Sequence, residues 1–231
     1  MRADALARIE RQLPDDARLL DVGGWAAPLE RADWVIDLLP YETRGLYGHA
    51  DPAYERFRGE TWVQRDICDR EPWPFDDDSF DFVVCAQTLE DVRDPVFVCS
   101  EMARVARAGY LECPSWRAEL TSGVNGAWTG YSHHRWLVRC DQERSAVEFV
   151  LKFGVVHVDP YRLPRVPLPE SELQTWLWWE GSLAARERII TEPAALDAEL
   201  RAFVAEHAPP RARRRWPHRR RTSRTEPPGI Q

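Results

Sequence analysis

The sequence predicts an α/β fold: a doubly wound, mainly parallel sheet, followed by an antiparallel hairpin and a small cover. Two stretches carry that expectation. Arg18-Leu-Leu-Asp-Val22 is a short apolar strand that runs through Asp21 into Gly23-Gly24. Glycine at such a turn lets backbone approach a ligand closely. Ser79-Phe-Asp-Phe-Val-Val-Cys85 reads as a second buried strand behind a polar turn. Strands alternating with helices or long crossovers favour parallel pairing.

The elements follow in order. Arg2 to Leu13 is an amphipathic helix ended by Pro14. Arg18–Val22 is the first strand and Trp34–Asp37 the second, closed by Pro40. Thr61–Arg65 is a weaker third, ending at Asp66, and Pro72–Asp78 is a turn-rich loop. Phe80–Cys85 is the fourth strand. Asp94-Pro95 starts a helix to about Ala106, since proline suits the first helical position, and Val96, Cys99, Met102 and Val105 share a face. Gly109–Cys113 is the fifth strand. Trp136–Cys140 and Ala146–Lys152 form the hairpin, joined by residues 141–145. Leu168–Ile190 is tryptophan-rich (Trp176, Trp178, Trp179) and fits no single pattern. These tryptophans suit either an aromatic wall over a bound molecule or the buried side of a cover. Ala194–His207 is a helix with Leu196, Leu200, Phe203 and Val204 on its apolar face. The expected organisation is one domain over residues 1–207, with a core at 15–158 and a cover at 159–207. An Arg/Pro-rich tail, expected to be disordered, occupies 208–231.

Composition narrows the class. The chain has 231 residues, 44% of them hydrophobic, enough for a sizeable core. No run of about 18 apolar residues is present, so no membrane span is expected. Cysteines 68, 85, 99, 113 and 140 show no metal-binding spacing, and they suggest reduced thiols in a cytoplasmic protein. The tail carries eight arginines against one acid, Glu226, while the whole chain is at −7. The body before the tail is therefore strongly acidic, which argues against a nucleic-acid clamp. Lys152 is the one lysine among 31 basic residues, a pattern read as coding bias.

Ligands of a doubly wound sheet bind at the carboxyl ends of its strands. The residues there are Asp21, Gly23 and Gly24, then Asp37, Asp66 with Ile67, Ala86 with Gln87, and Glu112. An acid ending the second strand suits two ribose hydroxyls, and one after the third suits an adenine amino group. This order resembles the class I S-adenosylmethionine-dependent methyltransferases of the type 11-like kind, over about Arg18 to Pro114. Pro74-Phe-Asp-Asp-Asp-Ser-Phe-Asp-Phe-Val-Val-Cys85 and Thr88-Leu-Glu-Asp-Val-Arg-Asp-Pro95 look like that family's loop, fourth strand and following turn. Two departures stand out. Gly23 holds the first place of the family's glycine turn, but Trp25 and Ala27 hold the others. Asp37 follows Asp21 by only 16 positions, so the helix between those strands is almost deleted.

The resemblance implies a Rossmann-like sheet and S-adenosylmethionine as cofactor, held by Asp21, Gly23, Gly24, Asp37, Asp66, Ile67, Ala86 and Gln87. The implied reaction is methyl transfer to a small-molecule acceptor, on oxygen or nitrogen. His133, His134 and Glu90 are the candidate catalytic residues. Glu90 and Asp91 follow the fourth strand, where acceptor and methyl group meet in similar enzymes. Glu112 suits the same role less well. A histidine suits proton removal because its pKa lies near neutrality. Neighbours on an extended segment diverge, so one of the two histidines is expected to face the site. No metal is expected, for want of a third ligand at a diagnostic spacing. The rival readings are a non-catalytic methyltransferase-like scaffold, motivated by the altered turn, and an RNA-directed enzyme using the tail. The acceptor and the oligomeric state stay open.

Overall fold

A computed structural model describes residues 1–46, 48 and 51–209. The central sheet has six strands in the order β3-β2-β1-β4-β5-β8. They are β1 (Leu19–Val22), β2 (Trp34–Asp37), β3 (Trp62–Gln64), β4 (Phe82–Ala86), β5 (Ala108–Pro114) and β8 (Gln174–Glu180). The first five pair in parallel, and β8 runs antiparallel to β5, with Tyr110 opposite Trp178 and Glu112 opposite Trp176. The chain winds outward from β1 through β2 and β3, then returns to β4 and β5 on the other side. The expected α/β class and mainly parallel sheet are therefore present. Every residue of β1 is buried, as a strand covered on both faces must be.

Side chains alternate between two cores. On one face, α1 (Ala3–Gln12) lays Ala5 and Ile9 against Leu19, Val35, Val84 and Tyr110. Complete burial of a side chain such as Ile9 is worth roughly 1.5–3 kcal/mol. Leu13 is already extended, because the following Pro14 disfavours helical geometry there. On the other face, α2 (Pro95–Val105) packs Val98, Cys99, Met102 and Val105 against Leu20, Val83, Cys85 and Leu111. Its start is set by Pro95 in the first turn and by Asp94, whose carboxylate accepts the Phe97 N–H at 3.1 Å.

The expected hairpin forms as β6 (Trp136–Asp141) and β7 (Ala146–Leu151). It belongs to a separate three-stranded sheet, in which β9 (Ala184–Glu187) pairs in parallel with β7. Its Val138, Val147 and Phe149 cover the α2 side of the central sheet. The short helices α3 (Trp116–Glu119) and α4 (Glu170–Leu173) flank the crossing to β8. The last helix, α5 (Pro193–His207), buries Leu200 against Trp116, Leu137 and Val150.

Within 159–207, expected to be a cover, the tryptophan-rich stretch supplies β8 to the central sheet. Trp179 and Leu177 point into the α2-side core, while Trp176 and Trp178 pack on the α1 side. There Arg2 lies over Trp176 at 3.8 Å and Arg8 over Trp178 at 3.9 Å. Trp176 and Trp178 therefore clamp α1 to the sheet, and Trp179 fills the opposite core. Among the described residues, no helix is long and apolar enough to cross a membrane. Of the expected tail, residues 210–231 lie outside the described residues.

Candidate functional site

The strand order reverses between β1 and β4, and the crevice beyond their carboxyl ends is where such a sheet binds ligands. Gly23 adopts φ +75°, and its N–H donates to the Ile36 carbonyl at 2.9 Å, tying the turn to β2. A Cβ on Gly23 would lie 2.3 Å from the Thr88 side chain. The side of Gly23 on which a side chain would stand is therefore filled by a threonine from the loop after β4. A Cβ on Gly24 would meet the Asp21 carboxylate at 2.2 Å. Asp21 is buried, accepts the Leu29 N–H at 2.8 Å, and has its pKa pushed up to about 7 by desolvation. The deleted helix is replaced by a single 3-10 turn at Gly24–Ala26.

Asp37 ends β2 and caps that turn. One of its oxygens accepts the Trp25 N–H at 3.0 Å, and the other accepts the Leu39 N–H at 2.8 Å. Burial raises its pKa. A carboxylate has about four acceptor positions, so these backbone bonds do not exhaust Asp37. Asp66 is engaged by Arg93 and by the Cys68 N–H at 2.9 Å. Ile67 is buried, and its carbonyl accepts the Trp73 indole N–H at 3.1 Å. Ala86 ends β4. Gln87 follows at φ +58°, a left-handed conformation uncommon for a side-chain-bearing residue and concentrated at functional sites. Its amide donates to Glu112 at 3.0 Å and to Gln174 at 2.9 Å. Glu112 also accepts from the Tyr110 hydroxyl at 2.5 Å and from the Arg2 N–H at 2.9 Å. Thus Glu112 is buried under α1 and is withdrawn from the acceptor role.

The second half of the site lies past β4. Glu90 is 1% exposed, one of its oxygens has no partner, and desolvation pushes its pKa up to about 8. His133 and His134 both turn toward Asp91, with an Nε2 to carboxylate distance of 3.9 Å each. The two side chains thus converge on Asp91, where neighbours on an extended segment would diverge. His133 sits in a turn, not in a strand, so the alternation of extended chain does not apply, and the two rings lie 4.5 Å apart. Behind them, Nδ1 of His134 is 2.5 Å from Glu119 of α3, and Glu119 is 2.5 Å from the Lys152 ammonium. Desolvation pulls the His134 pKa down, but the Glu119 hydrogen bond together with the charges of Glu119, Glu90 and Asp91 outweighs it and raises the value. The ring also stacks on Tyr131 at 4.4 Å.

Glu119, Lys152 and Thr88 were not anticipated. Glu119 carries no local signal. Lys152 did carry one, as the only lysine in the chain. It is buried at a carboxylate, where a compact ammonium with three donors fits.

Residues 49–111 match the family model described as a methyltransferase domain. No curated protein matches the sequence. Among solved structures, the chain is similar to the YcgJ protein of Bacillus subtilis, at 21% identity and a TM-score of 0.39, covering 49% of this chain and 52% of that one. It is similar to a SAM-dependent methyltransferase from Aquifex aeolicus at 18% identity and a TM-score of 0.36, covering 49% and 65%. The N-terminal domain of EvdMO1, solved with SAH and D-fucose, gives 17% identity and a TM-score of 0.37, covering 61% and 58%. The chain thus spans about half to two thirds of the length of these structures. With the family match over residues 49–111 set inside a sheet that reverses at β1 and β4, the chain resembles the class I S-adenosylmethionine-dependent methyltransferases.

Proposed function

We propose that the chain transfers a methyl group from S-adenosylmethionine to a small-molecule acceptor, on oxygen or nitrogen. The observation that carries this reading is the convergence of Glu90 and Asp91, past the carboxyl end of β4, with His133 and His134 before β6, while Thr88 of the same loop lies against Gly23. The donor set fits the cofactor. Asp37 would hold the ribose, Asp21 and Gly24 shape the turn, and Asp66 and Ile67 would hold the base. When bound, the cofactor supplies a methyl group already activated by positive sulfur. The chain then has to orient the acceptor, exclude water and receive a proton. Glu119 holds Nδ1 of His134 and leaves Nε2 facing Asp91, in position to take a proton from the acceptor. Glu90, protonated near neutrality, would donate a hydrogen bond to the acceptor. Unpaired cysteines fit a reducing, cytoplasmic setting.

A scaffold without catalysis is the second reading. It is favoured by Asp37 and Asp66, whose carboxylates already serve protein donors. Calorimetry with S-adenosylhomocysteine decides between the two readings. Binding that weakens about tenfold or more in Asp37→Ala supports the enzyme. No heat at millimolar ligand supports the scaffold. Mass-shift screening against pooled hydroxyl- and amine-bearing metabolites then identifies the acceptor.

A further inference from the structure

The structure assigns a further role to the cluster past β4: Asp91, His133 and His134 form a three-ligand centre for a divalent first-row transition ion. One ligand atom from each lies within 4.8 Å of the others, and the two imidazole Nε2 atoms are each 3.9 Å from the Asp91 carboxylate. An ion with ligands at about 2.0–2.2 Å holds neighbouring donors about 3.3 Å apart, so the cluster must contract by less than about 1.5 Å. His133 makes that movement freely, because its side chain is 60% exposed.

Three further observations point to a ligand here. His134 is buried, and its Nδ1 is held by Glu119 at 2.5 Å, which fixes the ring and turns the Nε2 lone pair outward. A carboxylate behind a histidine is the usual outer support of a metal-bound imidazole. Glu119 is in turn neutralised by Lys152, so this support is itself a satisfied buried pair. On the other side, Oδ1 of Asp91 is buried without a hydrogen-bond partner, although 3.9 Å from His134. Glu90, the adjacent residue and nine-tenths buried or more, also has an oxygen without a partner. Two imidazoles with one carboxylate suit zinc, iron(II), cobalt(II) or nickel(II) better than magnesium or calcium. Three protein ligands leave positions open for water or for an acceptor oxygen.

The residues are those of the methyl-transfer reading, but metal uptake needs no cofactor and is tested separately from it. An ion bound at Nε2 of His134 takes the lone pair that the methyl-transfer reading gives to the acceptor's proton. The test is calorimetric titration of the chelator-treated full chain with Zn²⁺, followed by the absorption spectrum of the Co²⁺ form. One ion per chain is expected, with a four- or five-coordinate cobalt spectrum free of thiolate bands. His133→Ala and Asp91→Asn should each weaken uptake more than tenfold, with circular dichroism unchanged, while His207→Ala on α5 has no effect. No stoichiometric uptake, uptake unchanged in both site variants, or a thiolate spectrum would overturn the assignment. S-adenosylhomocysteine binding, measured separately, reports on the methyl-transfer reading alone.

Discussion

Asp21 is a charge placed where charge is costly. Its folded pKa of about 7 lies above the ordinary aspartate value, so the folded chain holds this proton more tightly than the unfolded one. The resulting stabilisation is complete below about pH 4 and is lost as pH rises through about 7. Asp21→Asn keeps an acceptor for the Leu29 N–H and removes the titration. Denaturant unfolding should show the variant gaining on the parent between about pH 4 and 7, by up to about 4 kcal/mol. A parallel pH dependence in both proteins would show that Asp21 ionises freely. Gly23 makes a different demand. Its φ of +75° and the Thr88 side chain both oppose a Cβ. Gly23→Ala should lower stability by about 1–3 kcal/mol. Thr88→Ala in the same chain should recover part of that loss, the strained backbone keeping the rest. Thermal unfolding of the single and double variants measures both, and a double variant no more stable than the single would mean that Thr88 is not the obstacle.

At the scale of elements, β8 is the strand that closes the sheet beside β5. Trp179 is 4% exposed and belongs to the α2-side core, while Trp178 packs on Tyr110 at 4.5 Å on the other face. One strand thus fastens both layers. Trp179→Ala should cost about 3–5 kcal/mol in urea unfolding, as expected for a large buried aromatic. Trp176→Ala, whose ring meets Arg2 from a half-buried position, should cost clearly less. Equal losses from the two would contradict the assignment of faces.

At the scale of the whole molecule, the cluster past β4 is assembled from parts far apart in the chain. Asp91 follows β4, Glu119 ends α3, His134 precedes β6, and Lys152 follows β7. Packing of the small sheet on the central one brings them together. Lys152→Met should leave Glu119 as a buried, half-paired carboxylate and cost about 3–5 kcal/mol. Combining it with Glu119→Gln should restore much of the loss, since neither charge then stays unmatched. A double variant that shows the two losses simply added would argue that Lys152 and Glu119 act independently.

By itself the sequence determined the strands, the α2 start and the class of fold, because each rests on local rules. Runs such as Leu19–Val22 and Phe82–Ala86 are apolar on both faces but for Asp21, and Asp94-Pro95 is a local cap. The acids at the strand ends were legible for the same reason: strand order places them without knowledge of packing. Three features needed the tertiary structure. Residues 174–180 joined the central sheet because Trp179 and Leu177 find one core and Trp176 and Trp178 the other, a choice that depends on what covers each face. Asp37 proved to be capping the Trp25 turn, a contact across a crossover too short for a helix. The convergence of His133 and His134 on Asp91 depends on a turn at His133 and on a carboxylate some forty positions away, so no spacing rule along the chain could display it.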